Sequence, residues 1–241
     1  AYTTINKSTA HFNTKLYTGN GNSNHAQTGV GFQPDLLWNK SRSSGDNHLL
    51  FDAVRGSTKS ISSDTTSAEA TRDSTFLTSF NSDGFTVGSN GNINGSGATF
   101  ANWCWKANGQ GSSNTDGNIN TTYTSVNTTA GFSISTYTGN GGSNQSLGHG
   151  LGATPKIYIC KRRDNTGQWL FMNTLTDGSL DYLFLENTNA KADSSQTLPT
   201  SSLVYLQNGG DANESGGTHV CYAFAEKTGY SKFGSYTGNG N

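Results

Sequence analysis

The chain has 241 residues, with 15 Lys and Arg against 16 Asp and Glu, a net charge of -1 and a charged fraction of 13%, about half the roughly 25% of an ordinary soluble protein. So neutral a chain excludes nucleic acid as its main partner, because phosphate recognition needs clustered Lys and Arg, and it offers anionic lipid little to attract. The 31 Gly, 3 Pro and 1 Met, beside abundant Ser, Thr and Asn, are the composition of short strands joined by turns rather than of helices.

In chain order, residues 1–11 form an N-terminal segment without the apolar core of a signal peptide. A first module is expected over 12–107. It opens on the box Tyr17-Thr18-Gly19-Asn20-Gly21 and holds the turn signal Ser82-Asp83-Gly84, where Asp-Gly tolerates positive φ. Thr66–Phe80 is its best helix candidate, one or two turns long. Its last strand places Ala101, Trp103 and Trp105 on one face and Asn102, Cys104 and Lys106 on the other. Residues 108–131 are largely Gly, Ser, Asn and Thr and read as a flexible or loosely draped linker.

A second module is expected over 132–228. It opens on Tyr137-Thr138-Gly139-Asn140-Gly141 and ends on the alternating set Val220, Tyr222 and Phe224. The two modules match at a nearly constant offset. Gly31 and Pro34 answer to Gly152 and Pro155, Lys40 and Arg42 to Lys161 and Arg163, Asn94 and Gly97 to Asn213 and Gly216, and Trp103 and Trp105 to Tyr222 and Phe224. A colinear series of this kind marks a duplication. A third box, Tyr236 to Gly240, lies in 229–241, which reads either as the start of a third repeat or as a C-terminal strand. The fold class is therefore all-β, with two tandem β-sandwich modules of jelly-roll or lectin-like type.

The opening Ala1 to Ser8, the YTGNG box, Gly31 to Asp35, Phe51-Asp52-Ala53-Val54-Arg55-Gly56, Asn81 to Phe85 and Trp103-Cys104-Trp105-Lys106 together resemble a family of tandem-repeat proteins of tailed phages, especially marine phages. The first module carries every box, whereas the second lacks the FDAVRG and NSDGF runs. The resemblance implies a non-enzymatic structural protein of the virion, a tail fibre or similar appendage with concanavalin-like or jelly-roll sandwiches. It implies other virion proteins as partners, a homo-oligomer with a trimer favoured, and a place on the virion surface after synthesis in a host cytoplasm. It transfers no catalytic residues. A capsid decoration or head-fibre protein and a polysaccharide depolymerase are the alternatives.

Particular residues carry further expectations. No run approaches the ~20 apolar residues of a membrane span. His11, His25, His48, His149 and His219 are scattered, so no metal or cofactor is expected. Asn81 and Asp83 suit a capped hairpin turn better than a Ca²⁺ loop. Cys104, Cys160 and Cys221, an odd number without metal-ligand spacing, read as buried small hydrophobes in a reduced compartment. Asp35 matches Lys156 and Asp52 matches Asn173, which excludes a duplicated carboxylate pair for glycoside cleavage. Host-surface polysaccharide is a candidate ligand, because an aromatic ring beside amides and carboxylates suits a sugar. Trp169 with Asp164, Asn165 and Gln168 fits that description, with His48, Asp46 and Asn47 at the equivalent place. The opposing reading puts Trp169 in the core. Lys40, Arg42, Lys161 and Arg163 read as interface charges or as edge-strand charges that block aggregation, and Arg55 as a buried partner of Asp52.

Overall fold

A computed structural model of the chain describes residues 3–240. Ala1, Tyr2 and Asn241, the outermost residues of the predicted end segments, lie outside the described residues. The first part of the chain forms strands β1 (Phe12–Thr18), β2 (His25–Thr28), β3 (Leu36–Ser41), β4 (Leu49–Asp52), β5 (Lys59–Ser62), β6 (Ala70–Thr71), β7 (Leu77–Asn81), β8 (Gly84–Val87) and β9 (Thr99–Trp105). The remainder forms β10 (Thr121–Asn127), β11 (Phe132–Thr138), β12 (Ser146–Gly148), β13 (Pro155–Arg162), β14 (Trp169–Asn173), β15 (Asp181–Phe184), β16 (Ala192–Asp193), β17 (Leu203–Tyr205) and β18 (Thr218–Ala225). Single helical turns α1 (Gly91–Asn94) and α2 (Gly210–Asn213) precede β9 and β18.

The strands make two large sheets and two small ones. The large sheets run β1-β9-β3-β4-β5-β6 and β10-β11-β18-β13-β14-β15-β16, and the small ones are β2-β8-β7 and β12-β17. Apart from β10, the two large sheets have the same strand order. Each packs one face on its own small sheet. Leu37, Leu49, Phe51 and Cys104 of the six-stranded sheet meet Phe85 and Val87 of β8. Tyr158, Cys160, Met172 and Cys221 of the seven-stranded sheet meet Leu147 of β12 and Val204 of β17. A third core joins the remaining faces of the two large sheets, bringing Leu36, Leu50 and Ile61 against Ile134, Ile157, Ile159, Trp169, Val220 and Tyr222. The result is an all-β stack of four layers. Leu36 and Ile157, and Leu50 and Phe171, are equivalent positions, so each large sheet turns the same face toward the other.

Two sequence expectations give way. Thr66–Phe80 is not helical: it holds β6 and most of β7. The Ser and Thr residues that fill it favour extended backbone, and the Asp73 carboxylate turns the chain by accepting from both the N–H (2.9 Å) and the hydroxyl (2.5 Å) of Thr75. The segment 108–131 is not loosely draped either. Its β10 pairs with β11 from Thr121↔Tyr137 to Asn127↔Phe132, and Ser112 and Thr124 exchange backbone bonds of 3.2 and 2.6 Å. The buried Asp35 carboxylate fastens its start, accepting from the N–H groups of Ala107 at 2.6 Å and Gly109 at 3.2 Å. Segments near the two ends of the chain also meet. A β-carbon on Gly229 would fall 2.0 Å from Cγ2 of Thr3, and the rings of His11 and Tyr230 lie 6.2 Å apart.

The YTGNG box is a docking device for the helical turn before the last strand. Tyr17 donates its hydroxyl to Ile93 O, and Tyr137 donates to Ala212 O at 2.8 Å. The Asn94 side chain accepts from Asn20 N–H, and that of Asn213 from Asn140 N–H, both at 3.0 Å. The first glycine of each box permits a close approach: a β-carbon would sit 2.2 Å from Gly95 O at Gly19 and 2.3 Å from Glu214 O at Gly139. The second takes positive φ, 70° at Gly21 and 72° at Gly141, where a β-carbon is strained. Gly139→Ala is therefore expected to cost about 1–3 kcal/mol by overpacking, read as a lower urea midpoint; an unchanged midpoint would contradict this docking. In the third box Tyr236 is 94% exposed.

Candidate functional site

A buried polar constellation lies where the two large sheets meet. Arg55, in the turn after β4, is fully enclosed. Its Nε donates to Asp52 Oδ2 at 2.6 Å, its Nη1 to Glu69 Oε2 at 3.0 Å, and its Nη2 to Leu50 O at 3.1 Å and Tyr222 Oη at 3.3 Å. Tyr222 Oη in turn donates to Asp52 Oδ2 at 2.7 Å. Arg163, just past β13, grips Glu69 with both fork nitrogens, at 2.9 and 3.1 Å. The chain of charges Asp52–Arg55–Glu69–Arg163 alternates in sign and sums to zero, so each buried charge has a counter-charge, which burial demands.

The electrostatics follow from that arrangement. Burial opposes the charge on Arg55, but Asp52, Tyr222 and Glu69 outweigh it and hold the guanidinium above its ordinary value. Burial likewise opposes the Glu69 carboxylate, yet Arg163 and Arg55 keep it below the usual range. Burial, with Asp52 beside it, pushes the Tyr222 phenol well up. A carboxylate depressed in the fold stabilises above its unfolded pKa and loses that contribution as pH falls through the folded value. Glu69→Gln should therefore be less stable than the parent at pH 7, with the difference shrinking below about pH 4. Urea midpoints of both proteins across that range test this, and a gap that persists unchanged at pH 3 would exclude the ion-pair origin.

Lys161 is 0% exposed. Its Nζ donates to Arg162 O at 2.9 Å and to Thr66 O at 3.3 Å, and burial pushes it down to about 8 despite Asp211 and Glu186. A base with a depressed folded pKa costs stability while both states are charged, and the cost is relieved as pH rises from the folded to the unfolded value. Lys161→Met is expected to stabilise by about 2 kcal/mol at pH 7, with a gain that narrows between pH 8 and 10. Chemical denaturation at those pH values decides it.

The residues singled out in the sequence fall in different places. Lys40 and Lys161 are not edge charges, because β3 lies between β9 and β4 and β13 between β18 and β14. Lys40 Nζ ties its own loop, donating to Asp46 O at 2.8 Å and Ser44 O at 3.1 Å, while Arg42 is exposed. Lys161 and Arg163 reach loop 64–69 of the first repeat, where Gly167 N–H also donates to Thr66 O at 2.9 Å and Glu69 N–H to Arg163 O at 2.8 Å.

Trp169 is not a platform for a sugar. It is 0% exposed, its ring sits in the core between the large sheets, and its Nε1 donates to Ser62 O at 2.8 Å. Asp164 and Asn165 are exposed and Gln168 half-buried. Asp164 pairs with Arg162 through two 3.1 Å contacts, and Gln168 N–H is held by Asp211 at 2.7 Å. In the first repeat His48 is half-buried and accepts Trp38 Nε1–H at 3.0 Å, Asp46 accepts from Ser44, and Asn47 is exposed. Asp83 acts as a cap, accepting from Gly31 N–H at 2.6 Å and Gly29 N–H at 3.0 Å. Among the described residues no cluster of His, Cys, Asp and Glu suits a metal ion, and no helix is long and apolar enough to cross a membrane.

Sequence reasoning missed Glu69 and the apolar cleft beside this junction. Glu69 stood inside the supposed helix, and nothing local marks it as the bridge between Arg55 and Arg163. The cleft has a volume of about 530 Å³ and is lined by Phe12, Trp105, Phe132, Phe171, Phe224 and Phe233 among others. Its signal was the alternating Trp105 and Phe224, equivalent residues brought to 6.4 Å of each other.

Stacked β-sheet layers, with a buried, charge-neutral junction between the two large sheets, define an all-β, sandwich-like class of protein. Within it the chain belongs to the family described as domain of unknown function DUF7483, whose model matches residues 7–241. No curated protein and no solved structure matches the chain.

Proposed function

We propose that this chain is a non-enzymatic structural protein of a tailed-phage virion, a tail fibre or similar appendage, that meets other virion proteins as a homo-oligomer. The observation that supports this reading is the Asp52–Arg55–Glu69–Arg163 chain, which commits the Asp52 and Glu69 carboxylates to fixed guanidinium partners and joins the two large sheets. Its phage origin rests on the sequence resemblance. Host glycan, in this reading, is met by exposed loop residues such as Asn47, Asp164 and Asn165, and not by the buried Trp169.

Immunogold electron microscopy of phage particles with antibody against the chain tests the proposal. Label at the tail or its tip is the expected result. Label spread over the head would replace the appendage with a capsid decoration, and label on cells but on no particle would remove the virion role altogether. Release of reducing sugar from host polysaccharide by the purified chain would overturn the non-enzymatic part.

A further inference from the structure

Cys160 in β13 and Cys221 in β18 are direct partners across the antiparallel ladder. Antiparallel pairs alternate between those that exchange backbone hydrogen bonds and those that do not, and the latter bring Cα atoms to about 4.5 Å. Arg163 N–H donates to Thr218 O at 2.8 Å. Counting inward from that bonded pair makes Lys161–Val220 bonded and Cys160–Cys221 non-bonded. The other side of β18 agrees. Gly139 N–H donates to Gly217 O at 2.8 Å, which places the backbone groups of Cys221 toward Ser135 and away from Cys160. A Cα spacing of about 4.5 Å lies inside the 4.4–6.8 Å that a disulfide spans. Both thiols are free and buried, on the face that meets the small sheet.

The first repeat shows what this position is used for. Asn39 and Asn102 are partners in the same ladder and occupy the same non-bonded site, since Arg42 N–H donates to Thr99 O at 2.7 Å. There the side chains cross-link the strands directly, Asn39 Nδ2 donating to Asn102 Oδ1 at 2.8 Å. We propose that Cys160 and Cys221 form the thiol counterpart of that cross-link, a modification site at which an intramolecular disulfide closes between the two central strands of the seven-stranded sheet. The reaction joins Sγ to Sγ and releases two protons and two electrons. A low-molecular-weight disulfide such as oxidised glutathione accepts them and leaves as two thiols, by exchange through a mixed disulfide. Burial makes both thiols slow in the closed sheet, so the bond forms as the strands assemble or open. Cys104 is an internal control: its ladder partners are Leu37 and Asn13, and it has no thiol opposite.

The test is to unfold the whole chain and refold it in reduced and oxidised glutathione, then alkylate the remaining thiols and map peptides by mass. The expected product has lost two hydrogen masses, joins Cys160 to Cys221, alkylates only at Cys104, and unfolds at a higher urea concentration than the same sample after reduction. Cys104→Ser should keep the product and Cys160→Ser should lose it. Native chain held in the same buffer at a urea concentration just below its midpoint is a second route that needs no refolding. Three free thiols by both routes, a bond that uses Cys104, or a cross-linked chain no more stable than the reduced one would each overturn the proposal.

Discussion

Arg55→Met is expected to destabilise the chain by about 3–5 kcal/mol, because removing one member of a buried ion network leaves its partners charged and unpaired. Asp52 would lose its 2.6 Å contact and keep only Arg55's own backbone N–H and the Tyr222 hydroxyl among its side-chain partners. Glu69 would keep Arg163. Arg163→Met should cost less, since Arg163 is partly solvated at 20% side-chain exposure while Arg55 still holds Glu69. The double substitution should be non-additive, the coupling passing through Glu69. Urea denaturation of the three variants measures this. Equal costs for the two single variants, or strict additivity, would mean that the network is not one unit.

Trp169→Ala is expected to cost about 3–5 kcal/mol through the cavity it leaves between the large sheets, and Trp169→Phe about 1–3 kcal/mol through the orphaned Ser62 carbonyl and lost volume. The milder variant, once folded, should leave any glycan-array signal of the parent unchanged, because the ring has no surface to offer. Loss of such a signal with an unchanged denaturation midpoint would restore the indole to a binding role.

Much of the fold was legible in the sequence. The YTGNG boxes and the Asn94/Asn213 match marked contacts that the structure makes twice with the same atoms. The period-two runs at Ala101–Trp105 and Val220–Phe224 marked the central strands, because a side chain's face in a strand follows from parity alone. What parity cannot tell is what covers a face that is apolar on both sides of a sheet. Lys161 and Trp169 looked eligible for the surface because a polar tip is ambiguous until its neighbours are known, and those neighbours are Thr66 and Ser62, each roughly 100 residues away in sequence. The linker was misjudged for a related reason: Thr and Ser are weak strand signals until a partner such as β11 supplies the ladder. The glycan residues were grouped by proximity in sequence, whereas the β14 alternation sends Trp169 inward and the preceding loop outward.

The meeting of Thr3 with Gly229 and of His11 with Tyr230 has a mechanical consequence. A pull applied between Thr3 and Gly229 would load that short side-chain contact first, and β1 and β18, which lie inward of it, only once it has parted.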